Sequence, residues 1–210
     1  MRDPFALFPL KSVAASIERS IDEVENKVHS KMGWYGVPRS HYSVEEELHL
    51  EAVTALFGNA FVLSQTTITK VGAFARRIHV LMDEPDWLPA GKVQTMRIGS
   101  EVHTATQKTV IEIVDAVANY FKHREEWPDD WNDPEATKQQ LRTIAIIRDL
   151  GLSPTKSANL HVAIAALGIV RPDAVGQLIE KVELWRQNVA DHLMSALVTS
   201  SVLTPDESDR

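Results

Sequence analysis

The chain contains no cysteine, and several other features that mark common protein classes are also missing. Without thiols the chain cannot form disulfides, use a cysteine nucleophile or hold a metal through thiolates. No apolar run approaches the roughly 20 residues that a membrane-spanning helix needs. Near the N-terminus, Asp3, Pro4 and Pro9 interrupt any signal-peptide core. We therefore expect a cytoplasmic protein that does not associate with membranes.

Positive charge is scarce as well. The chain has 22 Lys and Arg residues against 29 Asp and Glu residues, a formal net charge of −7. This balance disfavours loose electrostatic binding to nucleic acid, which needs a surplus of cations. The composition still allows a local basic face on the folded protein. Residues 119–149, however, are themselves net acidic. The cations of that segment are Lys122, Arg124, Lys138, Arg142 and Arg148.

Apolar residues recur every three or four positions along most of the chain, which is the period of amphipathic helices. No segment alternates apolar and polar residues as strands do. The pattern predicts an all-α helical bundle of about five to seven helices, with one domain over residues 1–203 and a polar tail over 204–210. The expected helices cover about 10–31, 43–82 with a kink or break near Thr66, part of 92–106, a run that ends in 119–127, 134–150, 153–168 and 172–203.

Helix starts are indicated by capping residues. Ser43 and Glu46 match a capping box. Three further starts combine a cap residue with a proline, as first helical turns often do. They are Asp133-Pro134, Ser153-Pro154 and Pro172-Asp173.

Residues 119–127 concentrate amide, imidazole, aromatic and charged side chains at a helix end. One interpretation is structural: cations there interact favourably with unpaired carbonyl groups, and a tryptophan fastens the helix to its neighbour. The other is functional: an imidazole projects into a cleft and transfers protons, while amide and cationic donors hold a charged ligand. The functional interpretation assigns catalysis to His123 and Asn119, and ligand binding to Lys122, Arg124 and Trp127.

The segment Ala118-Asn119-Tyr120-Phe121-Lys122-His123 resembles the motif of the HEPN superfamily (higher eukaryote and prokaryote nucleotide-binding domains). In that motif an Arg and a following polar residue precede a His by about four to six positions. The resemblance implies a helical bundle that forms a homodimer. It also implies metal-independent ribonucleases of toxin–antitoxin and defence systems, with Asn119 as polar partner and His123 as catalytic imidazole.

The sequence departs from this motif where the family has Arg, because that position is Ala118. A methyl group cannot stabilise charge that develops on a phosphate. We therefore expect a HEPN-like binding or interaction module, with an RNA or protein partner and no cofactor. The alternative is a metal-independent ribonuclease that uses His123 with a cation from elsewhere. A ligand-binding or metal-binding bundle of another kind is the third hypothesis.

Other combinations of residues give weaker signals. Arg97 with His103, and Arg186 with His192, have the spacing of the family motif, but loose spacings of this kind arise by chance. Glu46-x-x-His49 is half of the pattern that builds di-iron sites in helical bundles, and the sequence has no second copy. Phosphate-binding glycine loops, Gly-x-Ser-x-Gly and His-Glu-x-x-His are absent, so no metal site is predicted.

Overall fold

A computed structural model describes residues 10–29, 44–123, 131, 137–153, 159–170 and 173–200. Within these ranges the chain forms seven helices and one small sheet, which confirms the predicted all-α bundle. The helices are α1 (Leu10–His29), α2 (Val44–Leu81), α3 (Lys92–Arg97), α4 (Val110–His123), α5 (Lys138–Asp149), α6 (Asn159–Ala166) and α7 (Ala174–Thr199). The strands are β1 (Val102–His103) and β2 (Lys108–Thr109).

Helix α2 lies at the centre of the bundle and contacts α1, α3, α4, α6 and α7. It runs through 38 residues without interruption, so of the predicted kink or break near Thr66 the break does not occur. The hydroxyl groups of Ser64 and Thr66 donate to the carbonyls of Ala60 and Val62, at 2.9 and 3.1 Å. Each hydroxyl shares the carbonyl four residues earlier with a backbone N–H, an arrangement that tends to bend a helix without interrupting its hydrogen bonds.

Two glycines let other elements approach α2 closely. A Cβ atom at Gly58 would lie 3.3 Å from the ring of Phe121, and one at Gly72 would lie 3.0 Å from Cα of Lys92. The first glycine therefore accommodates α4 and the second accommodates the start of α3. Both positions support the packing that brings α3 and α4 side by side on α2.

The short sheet was not predicted. Strands β1 and β2 pair antiparallel, with Val102 opposite Thr109 and His103 opposite Lys108. Each strand has two residues, which is too short for alternation to be visible in the sequence. The hairpin delivers the chain directly into α4, because Thr109 is both the last strand residue and the N-terminal cap of that helix.

Three predicted helix starts can be compared with the structure. α2 begins at Val44, next to the predicted cap. α5 begins at Lys138, because Thr137 adopts an extended conformation and forms a capping box with Gln140; the predicted start at Pro134 is therefore wrong. α7 begins as predicted after Asp173, which makes no side-chain cap. The predicted cap residues Ser43 and Asp133 lie outside the described residues. Ser153 is described, but residues 154–158 are not, so the predicted helix start at Ser153-Pro154 also lies outside them.

At the start of α7, a carboxylate from another helix takes the place of a local cap. Glu18 of α1 accepts a hydrogen bond from the backbone N–H of Val175 at 2.9 Å. Glu18 is buried, and helix N-termini favour negative charge. This contact joins α1 and α7 across most of the sequence.

Buried apolar side chains from all seven described helices form one cluster. The largest fully buried side chain is that of Trp185, whose Nε1 donates to the carbonyl of Thr95 at 3.1 Å. In the part of the chain that the structure describes, no helix combines the length and hydropathy that a bilayer crossing requires. The tail 204–210 lies outside the described residues, and the single domain over 1–203 stays a prediction.

Candidate functional site

Helix α4 carries a polar stripe along one side. Glu112, Asp115 and Asn119 are three and four residues apart, so their side chains lie on the same side of the helix. The opposite side is apolar and buried, with Ile113, Val114 and Val117 in the core. We call Glu112, Asp115 and Asn119 the polar stripe.

The polar stripe forms one wall of a pocket of about 490 Å³ between α3, α4 and α5. This volume is in the range of small-molecule sites, roughly 300–1,000 Å³. We call it the α3–α5 pocket. Its lining residues are Lys92, Val93 and Met96 from α3, Glu112, Asp115, Ala116 and Asn119 from α4, and Lys138, Arg142, Thr143 and Ile146 from α5.

Asp115 lies at the centre of a hydrogen-bond network in the pocket wall. Its Oδ1 accepts from Nζ of Lys92 at 2.6 Å and from Nε2 of Gln65 at 3.0 Å. The same Gln65 nitrogen donates to Oδ1 of Asn119 at 2.8 Å. Gln65 is buried on α2. Asp115 is thus neutralised by Lys92, and Gln65 ties it to Asn119.

Glu112, at the first turn of α4, is fully engaged in structural contacts. Its Oε2 accepts from the backbone N–H of Thr109 at 3.0 Å, while its own N–H donates to Oγ1 of Thr109 at 3.2 Å. This reciprocal pair is a capping box. Its Oε1 also accepts from Arg97 at 3.2 Å. The side chain is 3% exposed, so the carboxylate belongs to the helix cap rather than to a ligand.

The α5 wall has a different electrostatic character. Lys138 and Arg142 are exposed, and within the described ranges neither side chain has an ion-pair or hydrogen-bond partner. The pairs Lys92–Asp115 and Arg97–Glu112 are internally neutral. Among the residues that the structure describes, the pocket therefore has two positive charges without a partner, although the whole chain carries −7.

The predicted site residues fall into three groups: one lines the pocket, two lie further along α4, and two are outside the described residues. Asn119 lines the pocket. His123 is half-buried and lies one turn further along α4, and Lys122 is exposed beside it. Arg124 and Trp127 lie outside the described residues. The catalytic and ligand-binding roles given to these residues remain predictions.

The other residues of the motif segment pack into the bundle. Phe121 stacks on Phe61 with ring centroids 6.2 Å apart. The hydroxyl of Tyr120 accepts from Nδ2 of Asn159 at 2.7 Å, and its ring meets Trp131 edge-on at 5.9 Å. Ala118 is 0% exposed. The position where the HEPN motif has Arg is therefore inside the core, where a guanidinium would lose its hydration.

The two alternative Arg–His pairs are engaged in local contacts. Arg97 bonds to Glu112, and Nδ1 of His103 lies 3.2 Å from Oγ1 of Thr106 in the hairpin. Arg186 forms an ion pair with Glu183 at 2.9 Å. Among the described residues, no group of three or more His, Asp or Glu side chains is placed to hold a metal. The side chains of Glu46 and His49 are not among those described.

Sequence reasoning did not single out Gln65, Lys92, Lys138 and Arg142 as site residues. Lys92 lines the pocket from α3, and Gln65 on α2 bonds to the wall residues Asp115 and Asn119. No local pattern indicates these contacts. Lys138 and Arg142 are like charges four residues apart, which is slightly unfavourable in a helix, but Glu135 lies three residues before Lys138 in the sequence, so the pair carries no distinct signal.

The fold and this pocket together define an all-α bundle with a polar, locally cationic cleft on one side. Comparisons with protein-family models, with curated proteins and with solved structures find no match for the chain.

Proposed function

We propose that the protein is a cytoplasmic, HEPN-like binding module whose ligand occupies the α3–α5 pocket. The observation that carries this proposal is that Asn119, Lys138 and Arg142 line the same concave site. Asn119 comes from the segment with the family-like motif. The toxin–antitoxin or defence setting is the one that the HEPN resemblance implies.

A binding role fits the charges better than efficient catalysis does. Asp115 and Glu112 are both held by cations and by hydrogen bonds, so neither is a ready general base. The motif arginine is replaced by the buried Ala118. What the pocket offers is a set of donors in a partly apolar cleft, which is the usual composition of a ligand site.

The test is to fill the pocket and measure binding. Ala116 is buried and lines the pocket, whereas Ala145 is exposed on α5 and does not line it. Amide NMR spectra of the labelled protein are recorded with mixtures of small phosphates, carboxylates and nucleosides. We expect shifts confined to α3, α4 and α5 in the unmodified chain and in Ala145→Phe, and none in Ala116→Phe. Shifts that persist unchanged in Ala116→Phe contradict the proposal.

A second candidate is the metal-independent ribonuclease. One observation favours it: Asn119, one turn before His123, shares the pocket with Arg142, so α5 supplies a guanidinium that the motif lacks. RNA is incubated with pure protein in the presence of EDTA. Cleavage that disappears in a folded His123→Ala variant supports the enzyme, and the absence of cleavage in the unmodified protein rejects it.

We also propose that the chain forms a homodimer, as the resemblance implies. A two-fold pairing offers a second source of cations for the segment around His123. The last helix gives some support, because Leu184 is 65% exposed on α7 while other positions of that helix fill the core. Light scattering coupled to size exclusion measures the mass directly. A mass of one chain at all concentrations contradicts the dimer, and a dimer that Leu184→Glu dissociates would assign the interface to α7.

A further inference from the structure

We propose that the ligand of the α3–α5 pocket is a small organic oxyanion, whose charged end is held by Asn119, Lys138 and Arg142. This inference rests on the proposed function, and it adds the chemical class of the ligand. The class of ligand follows from which atoms of the pocket wall already have hydrogen-bond partners within the protein.

The orientation of the Asn119 amide follows from its neighbours. A carboxylate oxygen accepts hydrogen bonds only, so the Gln65 group that contacts Oδ1 of Asp115 at 3.0 Å must be its NH₂. The same NH₂ lies 2.8 Å from Asn119, so Asn119 must present its oxygen to Gln65. The NH₂ of Asn119 is left without a partner among the described residues. Asn119 therefore offers the pocket a donor and not an acceptor.

The α5 wall adds donors of the same kind. Lys and Arg side chains donate hydrogen bonds and accept none. Lys138 is the first residue of α5, where the partial positive charge of the helix N-terminus adds to its own. Arg142 follows one turn later. With Asn119 these side chains make a set of donors that only an acceptor-rich, negatively charged group satisfies.

The rest of the pocket determines the size and polarity of the ligand. A bare inorganic ion fills a small part of about 490 Å³. Val93, Met96 and Ile146 line the remainder and favour an apolar or ring-shaped body. The acidic chain as a whole repels long polyanions. A compact molecule with one phosphate ester or one carboxylate fits these conditions best.

Gln65 acts in this scheme as a positioning residue. It makes no contact with the ligand, but it fixes the direction of the Asn119 amide through Oδ1. If its hydrogen bond is removed, the Asn119 amide can rotate and present either group. Gln65→Met, which keeps a similar volume, is expected to weaken oxyanion binding by about three- to tenfold.

The main experiment uses three probes with one ring each: phenyl phosphate, benzoate and neutral benzyl alcohol. Binding is followed by amide NMR, including the side-chain NH₂ signals of Asn119, which are assigned by their loss in Asn119→Asp. We expect phenyl phosphate, benzoate or both to bind at least about tenfold more tightly than benzyl alcohol and to shift the NH₂ signals of Asn119. The ratio between the two anions tells a phosphate ester from a carboxylate.

Asn119→Asp is the decisive variant because Gln65 can still donate to the new carboxylate. The change replaces the free donor by an acceptor and adds a negative charge. Both effects oppose an anion, so we expect at least a tenfold loss of oxyanion affinity. Arg142→Gln and Lys138→Gln are expected to lose about three- to tenfold. Arg77→Gln and Lys11→Gln remove the same charges from exposed sites on α2 and α1 outside the pocket, and should change affinity less than about twofold.

The outcomes separate this inference from the proposed function. If benzyl alcohol shifts pocket residues as strongly as the anions do, the pocket binds ligands but the oxyanion assignment is wrong. If no small molecule shifts the pocket, both proposals fail. If a short single-stranded RNA displaces phenyl phosphate and binds more tightly in an Asn119-dependent way, the oxyanion belongs to a nucleic-acid backbone and the small-molecule assignment is overturned.

Discussion

The polar side chains at the two ends of the polar stripe on α4 differ in how far they are hydrogen-bonded within the protein. At the N-terminal end, Glu112 is 3% exposed and each of its oxygens has a partner. At the other end, Asn119 is half-buried, and among the described residues only its oxygen has a hydrogen-bond partner. Asp115 lies between them and is paired with Lys92. Among the described residues, the share of side-chain polar atoms that are bonded within the protein thus decreases from Glu112 to Asn119.

This difference shows how a polar residue in a helical bundle can be assigned to stability or to binding. A buried carboxylate whose oxygens are all bonded stabilises its surroundings and has nothing left to offer a ligand. An amide whose NH₂ group has no partner among the described residues, in a pocket with two cations of the same kind, adds little stability and has its donors available to a ligand. The following substitutions test this contrast, in order of decreasing expected effect on stability.

Ala118→Arg should cause the largest loss, because it puts a guanidinium into the core side of α4 where Ala118 is 0% exposed. We expect the free energy of unfolding to fall by more than about 3 kcal/mol. Urea denaturation measures this directly. A variant as stable as the unmodified chain that also cleaves RNA would reopen the catalytic interpretation, because the family motif would then be restored at no cost.

Glu112→Ala should lower the free energy of unfolding by about 1–3 kcal/mol, since it removes the capping box and leaves Thr109 without its partner. Glu112→Gln is the matched control, because glutamine also closes capping boxes. The exposed Arg97 contributes little to the pair, so we expect Gln to cost less than about 1 kcal/mol. If both variants lose the same free energy of unfolding, Glu112 stabilises the protein through its negative charge and not through the capping box.

Lys92→Met removes the cation from the Asp115 network and keeps the apolar part of the side chain. Lys92 is 33% exposed and Asp115 is 15% exposed, so solvent screens the pair and we expect a stability loss below about 1 kcal/mol. Raising the salt concentration should narrow the difference between this variant and the unmodified chain. A difference that is insensitive to salt would indicate a packing effect near Gly72 rather than an electrostatic one.

Asn119→Asp should have the smallest effect on stability, within about 0.5 kcal/mol, because the hydrogen bond from Gln65 is kept. Thermal unfolding of this variant is compared with that of Glu112→Ala at the same pH. A large loss of stability in Asn119→Asp, together with unchanged ligand binding, would reverse the assignment of the two ends of the stripe.

Local patterns predicted the elements that depend on neighbouring residues. The apolar period over residues 10–31 gave the start of α1 at Leu10. The predicted start of α5 is wrong because Thr137 forms a capping box with Gln140. The start of α7 was predicted, but the contact that supports it was not, because Glu18 is 157 positions away from Val175.

The candidate site shows the same division. Asn119 was found because it lies in a dense polar segment, and Lys138 and Arg142 were visible only as cations of a net acidic stretch. Counting charges along residues 119–149 concealed their role, because a sum over sequence does not show which charges share a pocket. Gln65, on the central helix, carried no signal at all.

By itself, the sequence determined that this protein is helical and that Asn119 belongs to a polar segment at the end of a helix. Both properties are local, because the first follows from the 3.6-residue period and the second from the composition of nine neighbouring residues. The tertiary structure alone decided that Asn119 lines the same pocket as Lys138 and Arg142, which have no partner among the described residues, and that Gln65 fixes the direction of its amide. The physical reason is that hydrogen bonds and charges act over distances in space, and only the packing of α2, α3, α4 and α5 converts separations of many residues into contacts of about 3 Å.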